Sequence, residues 1–389
     1  MKENSIQICV NCVMDTSDPE IVFDEQGVCD YCKDYKVVHA QRVFEGYEGA
    51  RLLQEEIAKI KGDGKNKKYD CIMGISGGVD STYVAYLAKQ HGLRPLAVHL
   101  DNGWNSELAA KNLANIIRRL GFDLHTHVID WEEFKDLQLA YLKASVIDIE
   151  AITDHAVFSA LYKLAAEHKV KHLLVGLNVV TEAILPRAWI TAKMDGANIA
   201  DIHKQFGTKP LKTFPLMDIW LKQYYLNVLK IKKVRILNYV PYIKEDAQAT
   251  IIKKLKWRDY GGKHYESVFT RFYQGYILPE KFKVDKRIAH LSTLICSGQI
   301  TREQALEELK TPPYDAEQLK IDKEFVLKKF ELSEGEFDEI MNLPIRKHED
   351  FKTEGTIYKH YPIFKPLKPI IDLIKGNKRT IPDSKTNKI

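Results

Sequence analysis

The stretch Cys71-Ile-Met-Gly-Ile-Ser-Gly-Gly-Val-Asp-Ser-Thr82 leaves the chain few ways to fold. Apolar residues from Cys71 to Ile75 read as a short buried strand, which two glycines then break. From Val79 to His91, Val79, Tyr83, Ala85, Tyr86 and Leu87 recur at helical spacing. A strand, a glycine turn and a helix bring free backbone N–H groups and the positive end of a helix to one point. That point suits a phosphate, and Gly77 and Gly78 let the backbone approach it without a Cβ in the way. Ser76, Ser81 and Thr82 add hydroxyl donors. Asp80 would repel phosphates unless a cation lay between, so it is expected to contact Mg²⁺. Neither G-x-x-x-x-G-K-[ST] nor G-x-G-x-x-G is present here. An ordinary strand–helix turn is the competing reading.

The context is a regular alternation. Strands are expected at 71–75, 94–100, 124–129 and 172–175. Helices are expected at 47–61, 79–91, 106–120 with Ser106 as N-cap, 131–144 and 154–168. This rhythm implies an α/β fold, a parallel sheet with helices on both faces and ligands outside the carboxyl ends of its strands. Three strand ends then outline a site: Ser76–Ser81, Asp101–Trp104 and Gly176–Asn178. Asp101 is placed to hold a ribose hydroxyl or a metal, although Asp-Asn-Gly is also a common turn. Gly176 would let an adenine lie on the backbone, beside Asn178. Glu182 reaches for metal or substrate, or is merely a solvated helical glutamate.

Beyond Glu182, residues 186–212 read as an insertion or lid and Thr213–Leu216 as a last strand. The segment 257–273 is dense in aromatics and cations, and Lys263, His264 and Arg271 suit a diphosphate. Single-stranded nucleic acid or a packed helix would also explain that mixture. Trp104 and Asp154 join Lys263 and His264 as candidate substrate contacts. Residues 280–345 read as helical, with a capping box from Thr301 to Gln304.

Four of six cysteines, Cys9, Cys12, Cys29 and Cys32, form two C-x-x-C pairs sixteen residues apart, the pattern of a Cys₄ zinc site. Each pair makes a knuckle, two knuckles complete a tetrahedron, and four thiolates leave no open position, so the Zn²⁺ is expected to be structural. In a reducing compartment metal is favoured over disulfide. The 389 residues carry a net charge of +5, which does not by itself call for nucleic acid. No apolar run reaches the length of a membrane span, and no signal-peptide segment stands at the start, so the chain is expected in the cytoplasm.

Ser76-Gly-Gly-Val-Asp-Ser81 resembles the PP-loop of the N-type ATP pyrophosphatases. Together with the zinc ribbon and Gly261-Gly-Lys-His-Tyr-Glu-Ser267, it resembles the N-acetyl sugar amidotransferases of surface-polysaccharide, lipopolysaccharide and flagellar-sugar biosynthesis. The chain is expected to divide into a zinc ribbon at 1–45, a PP-loop domain at 46–245, a mostly helical region at 246–375 and a disordered tail at 376–389. The resemblance implies conversion of an acetamido to an acetamidino group on a nucleotide-activated sugar, with ATP and Mg²⁺ consumed through an O-adenylated imidate. Ser76, Gly77, Gly78, Asp80, Ser81, Thr82, Asp101, Gly176, Asn178 and Glu182 are expected to hold ATP. Asp80, Lys263 and His264 are expected to act on the reacting phosphates. No N-terminal cysteine nucleophile is present, so a separate glutaminase is expected to supply ammonia. Two other readings stay open: a tRNA thiolase, which needs further cysteines after the loop, and a non-catalytic nucleotide-binding scaffold.

Overall fold

The central strand β1, Cys71–Gly74, forms because Cys71, Ile72 and Met73 carry no side chain that burial on both faces would leave unpaired. In the computed structural model, which describes residues 6–262 and 265–356, β1 pairs in parallel with β2 (Pro95–Asp101) on one side. On its other side it pairs with β4 (His172–Leu174). β3 (Asp123–Val128) extends the sheet beyond β2, and β5 (Lys232–Val234) extends it beyond β4. All pairs are parallel, and the order is β3-β2-β1-β4-β5. The chain builds outward from β1 in one direction, then returns to build in the other. Between β1 and β4 the order reverses, which is where open sheets of this kind take ligands.

The helices follow the expected rhythm. Val79–Gln90 leaves the glycine turn, and Glu107–Leu120 starts at Ser106, whose side chain accepts from the Ala109 amide at 3.1 Å. Such a cap is worth about 1 kcal/mol. Trp131–Ala144 and Ala151–Glu167 complete the set before β4. The capping box at Thr301 is present on the helix Arg302–Lys310.

Two expectations are corrected. Thr213–Leu216 is no strand: the Thr213 and Phe214 amides donate to the buried Glu133 carboxylate at 2.6–2.9 Å, and β5 takes the last place. Residues 186–212 are no free lid. They hold the helix Gly196–Phe206, and Trp189 and Lys193 are buried. The expected tail lies outside the described residues.

Candidate functional site

The glycine turn departs from the carboxyl end of β1. Gly77 takes φ +90°, a region L side chains avoid. Its carbonyl accepts from Trp257 Nε1 at 2.7 Å and from the Tyr260 hydroxyl at 3.2 Å. With its carbonyl anchored this way, the turn has a fixed shape. Ser76 and Ser81 lock it from within: their hydroxyls are 3.1 Å apart, the Ser76 amide meets Ser81 Oγ at 3.3 Å, and the Gly78 amide meets Ser76 Oγ at 3.2 Å.

Asp80, in the first turn of the following helix, faces the switch point. One carboxylate oxygen accepts from the Tyr242 hydroxyl and the other from Thr181 Oγ1 at 3.4 Å. Burial first, then the Asp80 charge, holds the Tyr242 phenol far above its usual range, so it remains a donor. Glu182 also acts on Tyr242 through its charge. Asp80 thus presents its carboxylate where β1 and β4 end, with Tyr242 and Thr181 donating to it.

Gly176 also has a packing role. A Cβ there would lie 2.8 Å from the Ser81 amide nitrogen, so the missing side chain lets the loop's own backbone pass close by. Gly176→Ala should push the loop out of place, costing about 1–3 kcal/mol in stability. Nucleotide turnover should fall roughly tenfold or more. Denaturant unfolding and a steady-state assay check the two effects.

Four expected contacts are revised. Thr82 is fully buried, so its hydroxyl does not face the open side of the turn. Asn178 caps the short helix Val179–Glu182, accepting from the Thr181 amide at 2.9 Å. Arg271 is spent on a bidentate pair with Asp322 at 2.6 and 2.9 Å. Trp104 is buried, its indole N–H donates to Gln138 at 2.6 Å, and Trp131, Phe269 and Phe330 pack around it. Asp101 does use one oxygen for the turn, accepting from the Gly103 amide at 2.9 Å. Lys263 and His264 lie outside the described residues.

The segment 257–273, singled out for its aromatics and cations, meets the turn through described residues on either side of 263–264: Trp257 and Tyr260 hold the Gly77 carbonyl, and the Ser106 amide donates to the Glu266 carbonyl at 2.9 Å. A Cβ on Gly78 would stand 3.6 Å from the Glu266 carboxylate. Sequence reasoning missed a buried charge network beside the strand ends. Lys193 Nζ meets Asp148 at 2.8 Å and Asp154 at 3.1 Å, so the candidate substrate contact Asp154 is already paired. Glu150 accepts from Thr270 Oγ1 at 2.9 Å, and burial, then Asp154, pushes its carboxyl up to about 7. Lys193→Met would strand Asp148 and should cost about 3–5 kcal/mol. Denaturant midpoints check this, and adding Asp148→Asn should restore part of the loss.

The four cysteines do converge. Their sulfurs all lie within 4.8 Å of one another, with close pairs at 3.6–3.9 Å. A Zn²⁺ with bonds of about 2.3 Å has tetrahedral edges of about 3.8 Å, so the cluster fits that ion. Backbone N–H groups of Asn11, Cys12 and Cys29 point at Cys9 Sγ at 3.3–3.5 Å, as a thiolate requires. The module is bolted to the C-terminal region: Arg302 donates to the Cys9 and Cys12 carbonyls at 3.0–3.2 Å. Cys296, at the end of the helix Lys286–Cys296, sits 3.6 Å from Cys32 Sγ. No helix among the described residues is long and apolar enough to cross a membrane.

Comparison with known proteins adds two regional matches. Residues 54–208 match the family described as NAD synthase. Residues 266–365 match the family described as LPS biosynthesis protein WbpG-like, C-terminal domain. A tRNA(Ile)-lysidine synthase of Chlamydia pneumoniae is 40% identical over 76 residues, which is 18% of this chain and 23% of that protein, well under two thirds of its length. An uncharacterized protein of Methanocaldococcus jannaschii is 24% identical over 67% of this chain and 78% of its own. Among solved structures, the chain is similar to an NMN synthetase from Francisella tularensis at 15% identity and TM-score 0.30, covering 54% of this chain and 88% of that one. An NH3-dependent NAD synthetase from Campylobacter jejuni gives the same identity and TM-score, covering 54% and 84%.

Proposed function

We propose that this chain, a PP-loop protein joining a NAD synthase-like region to a WbpG-like C-terminal domain, is an ATP-dependent amidotransferase acting on a nucleotide-activated acetamido sugar. The observation that carries the reading is the meeting of the two regions at the glycine turn. The WbpG-like region begins at Glu266, whose side chain stands by Gly78 and whose neighbour Ser267 bridges to Asn105 just past β2.

The chemistry follows from what an amide is. Its carbonyl carbon is a poor electrophile, and its oxygen is a poor leaving group. Attack of that oxygen on the α-phosphorus of ATP forms the C–O–P linkage and releases pyrophosphate. Ammonia then adds to the carbon, AMP departs with the oxygen, and a C=N bond remains. Backbone N–H groups of the turn and the Ser76 and Ser81 hydroxyls hold the departing pyrophosphate. A Mg²⁺ held by Asp80, with Glu182 beside it, would neutralise phosphate charge. No side-chain nucleophile is needed, so catalysis rests on positioning and fixed charge.

Free ammonia is scarce at neutral pH, and a separate glutaminase would supply it. The thiolase alternative loses its sulfur carrier: Cys296, the one cysteine after the turn, packs against the four-cysteine cluster. The test incubates the chain with ATP, Mg²⁺, ammonium chloride and candidate nucleotide sugars. The expected products are AMP, pyrophosphate and a sugar lighter by the difference between O and NH, with glutamine inert unless a partner is added. ADP with orthophosphate would refute the reading.

A further inference from the structure

We infer that the amino edge of the sheet, the end opposite the glycine turn, is a docking face for an anionic lipid bilayer. The inference stands apart from the amidotransfer reading and holds whichever reaction the turn performs.

Parallel strands bring their starts to one side, and here those starts carry cations. Register sets Pro95 beside Cys71, Asp123 beside Leu96 and Lys232 beside His172. Neighbouring strands lie about 4.8 Å apart, so the edge of this five-stranded sheet runs for roughly 20 Å. Lys61 and Lys65 lead into β1, Arg119 stands in the last turn of the helix before β3, and Lys169 precedes β4. Lys230 and Lys232 open β5. All six are exposed, and none has a carboxylate partner among the described residues. Backbone contacts tie the edge together: Lys67 Nζ donates to the Lys169 carbonyl, and the Lys232 amide to the Lys171 carbonyl, both at 2.8 Å.

The carboxylates of this edge do not offset those cations. Asp63 faces Lys171 at 3.8 Å, Asp70 holds Arg94 at 2.5 Å and Asp123 holds Lys68 at 2.9 Å, so these pairs are neutral. Glu167, at the end of the helix before β4, is exposed as well and leaves the excess positive. At physiological salt a charge is felt over about 8 Å, so cations this closely spaced act on a facing surface as a group.

Apolar side chains beside them decide the partner. Leu226 and Val228 are exposed, at 40% and 65%, just ahead of Lys230. The Ile231 amide donates to the Tyr225 carbonyl at 3.0 Å, which holds that helix end against the start of β5. Nucleic acid would leave these aliphatic groups in water, whereas the headgroup boundary of a bilayer takes apolar side chains and cations together. Lysine, a mobile point charge, also asks no fixed geometry of a fluid array of lipid phosphates. A chain docked this way holds its glycine turn clear of the bilayer by the length of β2, seven residues or about 20 Å.

The test sediments the full zinc-loaded chain with vesicles of phosphatidylglycerol and phosphatidylcholine in equal parts, and with vesicles of phosphatidylcholine alone. Wild type should bind the first and not the second, more weakly as salt rises. Lys61→Gln with Lys65→Gln should weaken this binding about tenfold or more, as the loss of two near-surface cations predicts. Leu226→Ser with Val228→Ser should weaken it by about as much, through lost apolar burial. Lys253→Gln with Lys254→Gln removes equal charge from the exposed helix end beside Trp257, at the turn's side of the molecule, and should leave binding within about twofold. Equal binding to both vesicles or to neither, unchanged binding in either edge variant, or equal loss in the Lys253 and Lys254 variant would overturn the proposal. So would a tRNA that binds more tightly than the anionic vesicles and is released by the Lys61 and Lys65 substitutions, which would make this edge a nucleic-acid surface.

Discussion

Asp80→Asn should lower AMP formation by about 10²–10³-fold with the fold intact, the scale on which a fixed charge-stabilising group acts. The substitution keeps shape and keeps an oxygen to accept from Tyr242 or Thr181, so the local hydrogen bonds need little adjustment. What it removes is the negative charge. Tyr242, held far above its ordinary range by burial and then by that charge, should titrate closer to normal in the variant. Denaturant unfolding provides a control independent of turnover. If Asp80 served only to brace the Tyr242 hydroxyl, Tyr242→Phe would match Asp80→Asn in turnover. If it holds a cation, Asp80→Asn should be the more severe and should raise the Mg²⁺ concentration needed for half activity.

Exposing the chain to a chelator should have the second large effect. Binding of Zn²⁺ by four thiolates contributes on the order of 10 kcal/mol to the folding of a small module. Apart from the helix Asp30–Arg42, residues 6–45 hold little regular structure, only isolated bridges such as Ile8 to Asp15 and Phe23 to Cys29. Chelation should release about one zinc per chain and open this segment to proteases, while the five-stranded sheet stays folded. Cys9→Ser should do the same, because Cys9 Sγ is the acceptor for three backbone N–H groups as well as a member of the cluster. A chain purified without zinc whose module still resists proteolysis would contradict this assignment.

Much of the scaffold was readable from local pattern. β1, β2 and β3 are apolar or alternating runs bounded by turns, and Ser106 and Thr301 cap the helices they precede. Spacing alone brought the four cysteines together, since a C-x-x-C knuckle encodes its own geometry. β5 was not readable: Lys232-Lys-Val234 is short and polar, and becomes a strand only because β4 offers an open edge. The apolar Thr213–Leu216 misled, because a carboxylate 80 residues earlier, Glu133, captures its amides.

In the site, the turn itself was legible and its surroundings were not. Gly77, Gly78, Ser76 and Ser81 announce a tight strand-to-helix turn from their order alone. Trp257 and Tyr260 brace that turn from 180 and 183 residues away, and no local pattern marks a donor to a distant carbonyl. Gly176 was singled out as a point of close approach, and the Ser81 backbone does pass close to it. Arg271 looked available for phosphate because its partner, Asp322, lies in a separate helix.

The most direct test of the reaction follows one atom. An accepted sugar carrying a heavy oxygen isotope in its acetamido carbonyl, turned over with ATP and ammonium, should yield AMP that has gained the label and an acetamidino product that has lost it. Label found in orthophosphate or water with none in AMP would mean that the carbonyl oxygen never bonded to the α-phosphorus, and adenylation at this turn would be refuted.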